Sequence, residues 1–283
     1  MKEGEVLFEV FTPLVGKMWR LVQFVVLLSV FCSKGVATTS LCGKNPHLCM
    51  HMLFKEEVSS NRSLMPIKEE ASDSSAYIHH HAIYQSNTGY DSVVYGTMAT
   101  LSVHEFPAIK KGQNILATIK VGNFQRGHKE YTNAVHAGWA IQPSFYGDSK
   151  THFTTADGYK STRCIDLKCN GFVPVNYAPI TPGDTPSDGG SSLEGQSKIS
   201  IKIFKKKDDG DWWLYFGHDG QNLRALPVGF WPKNIFNSLA DHANIITWGG
   251  YTGSYSGDSS PPMGNNMFYC GVREVVVIRI IIH

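Results

Sequence analysis

The sequence predicts an all-β fold, an antiparallel β-sandwich with one short helix. Three observations carry this reading. Apolar residues recur at every second position in several short segments, which is the period of half-buried strands. Turn chemistry built from Gly, Asp and Pro separates those segments. Only one stretch has helical spacing.

The strand pattern starts at Tyr77. Asn114–Val121 places Ile115, Ala117, Ile119 and Val121 on one face. Around residue 138, Val135, Ala137, Trp139 and Ile141 share a bulky face suited to a core. His136, Gly138, Ala140 and Gln142 share the other, whose small residues leave room for a ligand. Lys198–Phe204 alternates Ile199, Ile201 and Ile203 with polar residues, and Trp212–Phe216 is an aromatic strand. Asp208-Asp209-Gly210-Asp211 lies between them, so 198–216 is predicted to form a hairpin. Trp212 and Trp213 must then point to opposite faces. The helix is expected at Lys233–Ala243, with Pro232 near its start and Ile235, Phe236, Leu239 and Ala243 at helical spacing. Val275–Ile282 is apolar and β-branched and reads as a buried strand.

Ahead of this domain lie two segments of different character. Leu21 to Cys32 is an apolar run of 12 residues, preceded by Lys17 and Arg20 and followed by Gly35-Val36-Ala37. Basic flank, short apolar core and small-residue exit predict a secretory signal over residues 1–37, with Met18 as an alternative start. A membrane span would need about 20 residues, so no stable span is expected. Residues 38–76 are polar with little periodicity, the pattern of a linker or shortened pro-segment, and hold the glycosylation sequon at Asn61. The domain then covers 77–283.

Cysteine usage agrees with export. Cys42 with Cys49 and Cys164 with Cys169 are plausible local pairs in an oxidising compartment, leaving Cys270 over. The spacing of Cys164 and Cys169 has no second Cys/His pair to complete a metal site. His79-His80-His81 reads as a polar strand entry rather than a metal site, because successive strand residues alternate sides. Asp148 reads as a turn-closing residue. The net charge of +2 is too mild to imply a nucleic-acid partner. No Gly-rich phosphate loop is present, and no cofactor is expected.

One series of residues goes further. Asn133-Ala134-Val135-His136-Ala137-Gly138-Trp139 leads to Tyr146-Gly147-Asp148 and Asp157-Gly158-Tyr159. Cys164 to Cys169 and Gly171-Phe172-Val173 follow, then Asp211-Trp212-Trp213-Leu214, Val228-Gly229-Phe230-Trp231-Pro232, Trp248-Gly249-Gly250 and Pro262-Met263-Gly264. In order and spacing this series resembles the neprosin domain of plants over about residues 78–268. The resemblance implies a β-sandwich with a cleft across one face. Active members are extracellular glutamic endopeptidases, and the founding type cuts at proline. Two glutamates divide base and acid roles across the cleft, because close like charges push their pKa values apart.

This chain departs from that pattern at both positions. The glutamate expected before Ala-Gly-Trp is His136, and the one expected after Trp-Gly-Gly is Tyr251. A phenol is a poor acid in an acidic fluid, and no carboxylate pair remains. The resemblance therefore implies a secreted, apoplastic protein without an intact catalytic pair. It would bind an extracellular peptide or cell-wall component through a cleft holding Trp139, Gln142, Trp248, Gly249 and Gly250. An altered acid peptidase using His136 and a decayed gene copy are the rival readings. From Phe268 the tail departs from the usual ending.

Overall fold

In the computed structural model the chain forms two antiparallel sheets. The structure describes residues 37–42, 49–59, 76–86, 93–125, 133–159, 162–186, 197–218, 226–262 and 275–281. Residues 1–36 of the expected signal segment, the Asn61 sequon and Cys270 lie outside them.

The strands run in chain order as β1 (Ala37–Cys42), β2 (Cys49–Ser59), β3 (Tyr77–Ser86), β4 (Gly96–Ser102), β5 (Asn114–Asn123), β6 (Asn133–Ile141), β7 (His152–Tyr159), β8 (Thr162–Ile165), β9 (Val173–Pro174), β10 (Lys198–Lys205), β11 (Trp212–His218), β12 (Pro227–Trp231), β13 (Ile245–Tyr255) and β14 (Val275–Ile281). The first sheet has the order β1-β2-β3-β13-β5-β6-β7-β8, and the second β14-β4-β10-β11-β12-β9. The sandwich expected from period-two patterning is the observed fold.

The inner faces of both sheets meet in one core. The first sheet contributes Ile115, Ile119, Val135, Trp139, Phe153 and Trp248. The second contributes Ile199, Ile201, Ile203, Trp212, Leu214 and Trp231. Buried indoles need a hydrogen-bond acceptor, and three find one. Trp139 donates to the carbonyl of Ser102 at 2.8 Å, Trp212 to the carbonyl of Leu239 at 2.8 Å, and Trp248 to Thr97 Oγ1 at 3.0 Å.

The β10–β11 hairpin forms as expected, pairing Ile199 with His218 through to Lys205 with Trp212. Trp212 is buried in the core, and Trp213 turns outward to stack on Phe230 at 5.1 Å. β14 forms the strand expected near the end of the chain, pairing antiparallel with β4.

Two expectations differ from the structure. The helix expected at Lys233–Ala243 is replaced by two 3-10 turns, Lys233–Ile235 and Ser238–Ala240. Asn237 has φ −98 and ψ −88, which breaks the spiral between them. Asn133 Oδ1 then accepts from the backbone N–H of Asn237 at 2.7 Å, fixing the break. Among the described residues the α-helix is α1, Pro143–Tyr146, with Pro at its start and Gly147 in the left-handed region, φ 87, at its end. The second difference is the supposed linker, where β1 and β2 form an antiparallel pair. β2 adds to β3, so the edge that β3 would expose finds a backbone partner. Weak side-chain periodicity hid these strands, because backbone pairing does not require it.

Candidate functional site

The outer face of the eight-stranded sheet carries His136 and Tyr251. Register sets them in rows. His136 pairs with Lys120, and Lys120 with Thr247. The next row on that face is Thr154, Gly138, Thr118 and Gly249. The row after is His152, Ala140, Leu116, Tyr251 and His81. His136 and Tyr251 thus share a face, two strands apart, with the Gly138–Gly249 row between them.

That middle row needs glycine. A Cβ on Gly138 would lie 2.7 Å from the Thr118 Cα. One on Gly249, which has φ +142, would lie 2.8 Å from the Ile83 Cα. Both glycines let neighbouring strands approach more closely than a side chain permits. The result is a shallow row flanked by taller side chains.

Neither flanking residue is poised to exchange protons in mild acid. His136 is half-buried. Desolvation, assisted by the charge of Lys120 beside it, lowers its pKa to about 3, so the imidazole is neutral. Burial raises Tyr251 to about 12, so the phenol keeps its proton. Tyr251 sits among rings, with His81 stacked at 5.5 Å and His79 edge-on at 5.8 Å. His79 and His81 share the outer face and His80 lies on the opposite one, as strand alternation requires. Among the described residues no cluster of three metal-ligating side chains occurs.

Beside this face stands a polar network that sequence reading did not single out. Asp166 lies in the turn closed by the Cys164–Cys169 disulfide and has φ 51. Its Oδ2 accepts from the Tyr146 hydroxyl at 2.7 Å. Its Oδ1 accepts from Thr154 Oγ1 at 3.0 Å and from the backbone N–H of Thr155 at 2.8 Å. Burial raises the Asp166 pKa against the pull of these donors. Burial, then the adjacent Asp166 charge, also raises Tyr146. The Tyr146 ring stacks on His152 at 4.1 Å. His152 Nδ1 donates to the carbonyl of Gly183 at 2.7 Å, and Nε2 lies 2.8 Å from Asp148 Oδ1. Both nitrogens face acceptors, so both bonds form only when the ring carries two protons. Asp148 also closes its own turn by accepting from the backbone N–H of Lys150 at 2.9 Å. Tyr-Gly-Asp and the disulfide were visible in sequence, but nothing local brings Asp166 to Tyr146. The hairpin of β7 and β8 does that.

The remaining expected site residues divide. Gly249 lies on the outer face and Gln142 follows β6 just before α1. Gly250 pairs with Ala117, on the inward alternation. Trp139 and Trp248 are in the core, 2% and 0% exposed, so their indoles brace the sheet from behind. The expected Cys164–Cys169 bond is present, with the Cα atoms 5.7 Å apart. Cys42 stands opposite Cys49 in the β1–β2 register.

A family model, neprosin, matches residues 111–276, more than half of the 283-residue chain. The chain belongs to the neprosin family. The match runs from the turn before β5 into β14, so it spans both His136 and Tyr251. It also extends past Phe268, so residues 268–276, expected from sequence to depart from the family's usual ending, lie within the match. No described helix is long and apolar enough to cross a membrane.

Proposed function

We propose that this neprosin-family protein is a secreted pseudo-peptidase that binds an extracellular peptide or cell-wall component on the outer face of its first sheet. The observation that carries the reading is the pair of side chains at the two dyad positions. A neutral imidazole with a pKa near 3 and a phenol with one near 12 cannot share a proton as two carboxyls do. General acid–base work needs groups whose pKa values lie near the operating pH. The shared face and its glycine row support a surface that still admits a ligand. The Cys164–Cys169 disulfide and the short apolar N-terminal run support an oxidising, extracellular destination.

The test is restoration. The wild type and the double variant His136→Glu/Tyr251→Glu are secreted, purified and assayed at acid pH on a proline-containing peptide. Cleavage by the variant alone is the expected result. Cleavage by the wild type overturns the reading. Two folded but silent proteins would show that the groove has diverged beyond the dyad. Failure of both to fold would favour a decayed copy. Binding is tested separately, by calorimetry of the wild type with proline-rich peptides and with wall polysaccharides. No heat with either removes the binding half of the proposal.

A further inference from the structure

A carboxylate also stands on the inner side of the first sheet. β7 turns Phe153, Thr155 and Asp157 toward the core, because these residues pair with the inward-facing Trp139, Ala137 and Val135 of β6. Asp157 is 4% exposed. On its other flank it pairs with Cys164 of β8, which is disulfide-bonded to Cys169. The turn that follows brings Gly171 against the carboxyl. A Cβ there would lie 2.9 Å from Asp157 Cγ, so only glycine lets the turn close. From the opposite sheet comes Trp231 of β12, fully buried and edge-on to Phe172 at 4.9 Å.

Asp157 therefore touches three elements at once: β7, the disulfide turn and β12 of the facing sheet. Its hydrogen bonding is incomplete. Asp157 Oδ1, Trp231 Nε1 and Thr155 Oγ1 are all buried without a partner among the described residues. The Trp231 indole favours the carboxylate, but its N–H completes no bond of good geometry. Val135 and Cys164 flank Asp157 in register, Gly171 lies against its carboxyl and Trp231 reaches it from the facing sheet, and none of these four titrates. A buried carboxylate with no cation beside it is costly, and a protonated carboxyl is far less so.

We propose that Asp157 is a proton-operated latch between the two sheets: protonated, it lets the disulfide turn and β12 close over β7, and ionised, it loosens that end of the sandwich. Burial supports this by pushing the Asp157 pKa up to about 7 from its ordinary 3.8. The folded-state value is raised, so the stabilisation is complete below the unfolded value near 4 and is lost as pH rises through about 7. The latch thus suits the fold to an acidic medium and slackens it in a neutral one. It acts on stability and does not depend on the fate of the dyad.

His136 titrates in the opposite sense, so the readout is the difference between the wild type and Asp157→Asn, which keeps the shape and removes the charge. Urea unfolding of both is followed from pH 4.5 to pH 7.5. The wild type should lose on the order of a hundredfold in its folded-to-unfolded ratio relative to the variant. Parallel curves overturn the latch. A second measurement on the wild type alone stands even if the variant fails to fold. The ¹³C resonance of the Asp157 carboxyl should titrate well above the ordinary carboxylate range. Amide exchange at residues 171–175 and 228–231 should quicken over the same interval. A midpoint near 4, or exchange at those amides that does not change, overturns the proposal.

Discussion

The two faces of the eight-stranded sheet are built from the same strands and have opposite chemistry. Inward, β5, β6 and β13 present Ile115, Ile119, Val135, Trp139 and Trp248, all nearly or fully buried. Outward, the same strands present Leu116, Lys120, His136, Gly138, Gly249 and Tyr251. The inner face holds the sandwich together through area removed from water. The outer face carries rings, hydroxyls and glycines instead of a continuous apolar layer, although Leu116, Ala140 and Thr154 on it are buried too. Asp157 stands apart on the packing face as a carboxyl only 4% exposed. Its titration limits the fold from the alkaline side, whereas that of His136 limits it from the acid side.

Four experiments break or sharpen this contrast. The largest effect is expected where the outer face has no room. Gly138→Ala and Gly249→Ala each drive a methyl into neighbouring backbone and should cost more than about 4 kcal/mol or abolish folding. Urea unfolding midpoints check this. A loss below about 1 kcal/mol would show that the strands separate freely and that the glycine row has no structural cause.

Next comes the inner face itself. Trp248→Ala should cost about 3–5 kcal/mol, by lost burial and a residual cavity. Trp213→Ala, on the outward side of the hairpin, should cost about 1 kcal/mol. Comparable losses at the two sites would erase the distinction between the faces.

Tyr146→Phe removes the hydroxyl that donates to the buried Asp166, and should cost about 1–3 kcal/mol. The loss should be greater at neutral than at acid pH, because the ionised carboxylate depends more on the donor. A loss unchanged with pH would mean that Asp166 is already protonated in the folded protein at neutral pH.

The smallest effect concerns His136. Its folded-state pKa is depressed, so its contribution to stability is present above the unfolded value near 6.5 and is lost as pH falls toward about 3. His136→Gln should therefore gain on the wild type below about pH 6, by roughly 1 kcal/mol after allowance for partial exposure. Thermal unfolding of both proteins at pH 4 and pH 7 checks it. An equal difference at both values would show a His136 that titrates like a free one.

Much of the sandwich was legible because period-two alternation is a local property. Ile199, Ile201 and Ile203 declare their strand without knowing its neighbours, and Asp208-Asp209-Gly210 declares the turn that follows. The alternation through residue 136 correctly sorted Val135, Ala137, Trp139 and Ile141 from His136, Gly138 and Ala140. The helix at Lys233–Ala243 was misread because apolar spacing in so short a stretch does not distinguish one helix from two 3-10 turns. The choice fell to Asn133, about a hundred positions away in sequence, which holds the Asn237 backbone. Trp248 illustrates a further limit. Its motif marks it as important, but only packing tells a groove wall from the brace behind it.

The sequence by itself determined the fold class, the family, the inward and outward alternation of the strands whose period it shows, and the imidazole and phenol that stand at positions 136 and 251. Side-chain chemistry and its period are written in the chain. Tertiary structure alone decided the rest. It set His136 and Tyr251 on one face with a glycine row between them, brought Tyr146 to Asp166, and enclosed Asp157 between β7, the disulfide turn and Trp231. Those relations depend on register between strands distant in sequence. Register is fixed by the summed burial of a whole sheet against its partner, which no local stretch of residues contains.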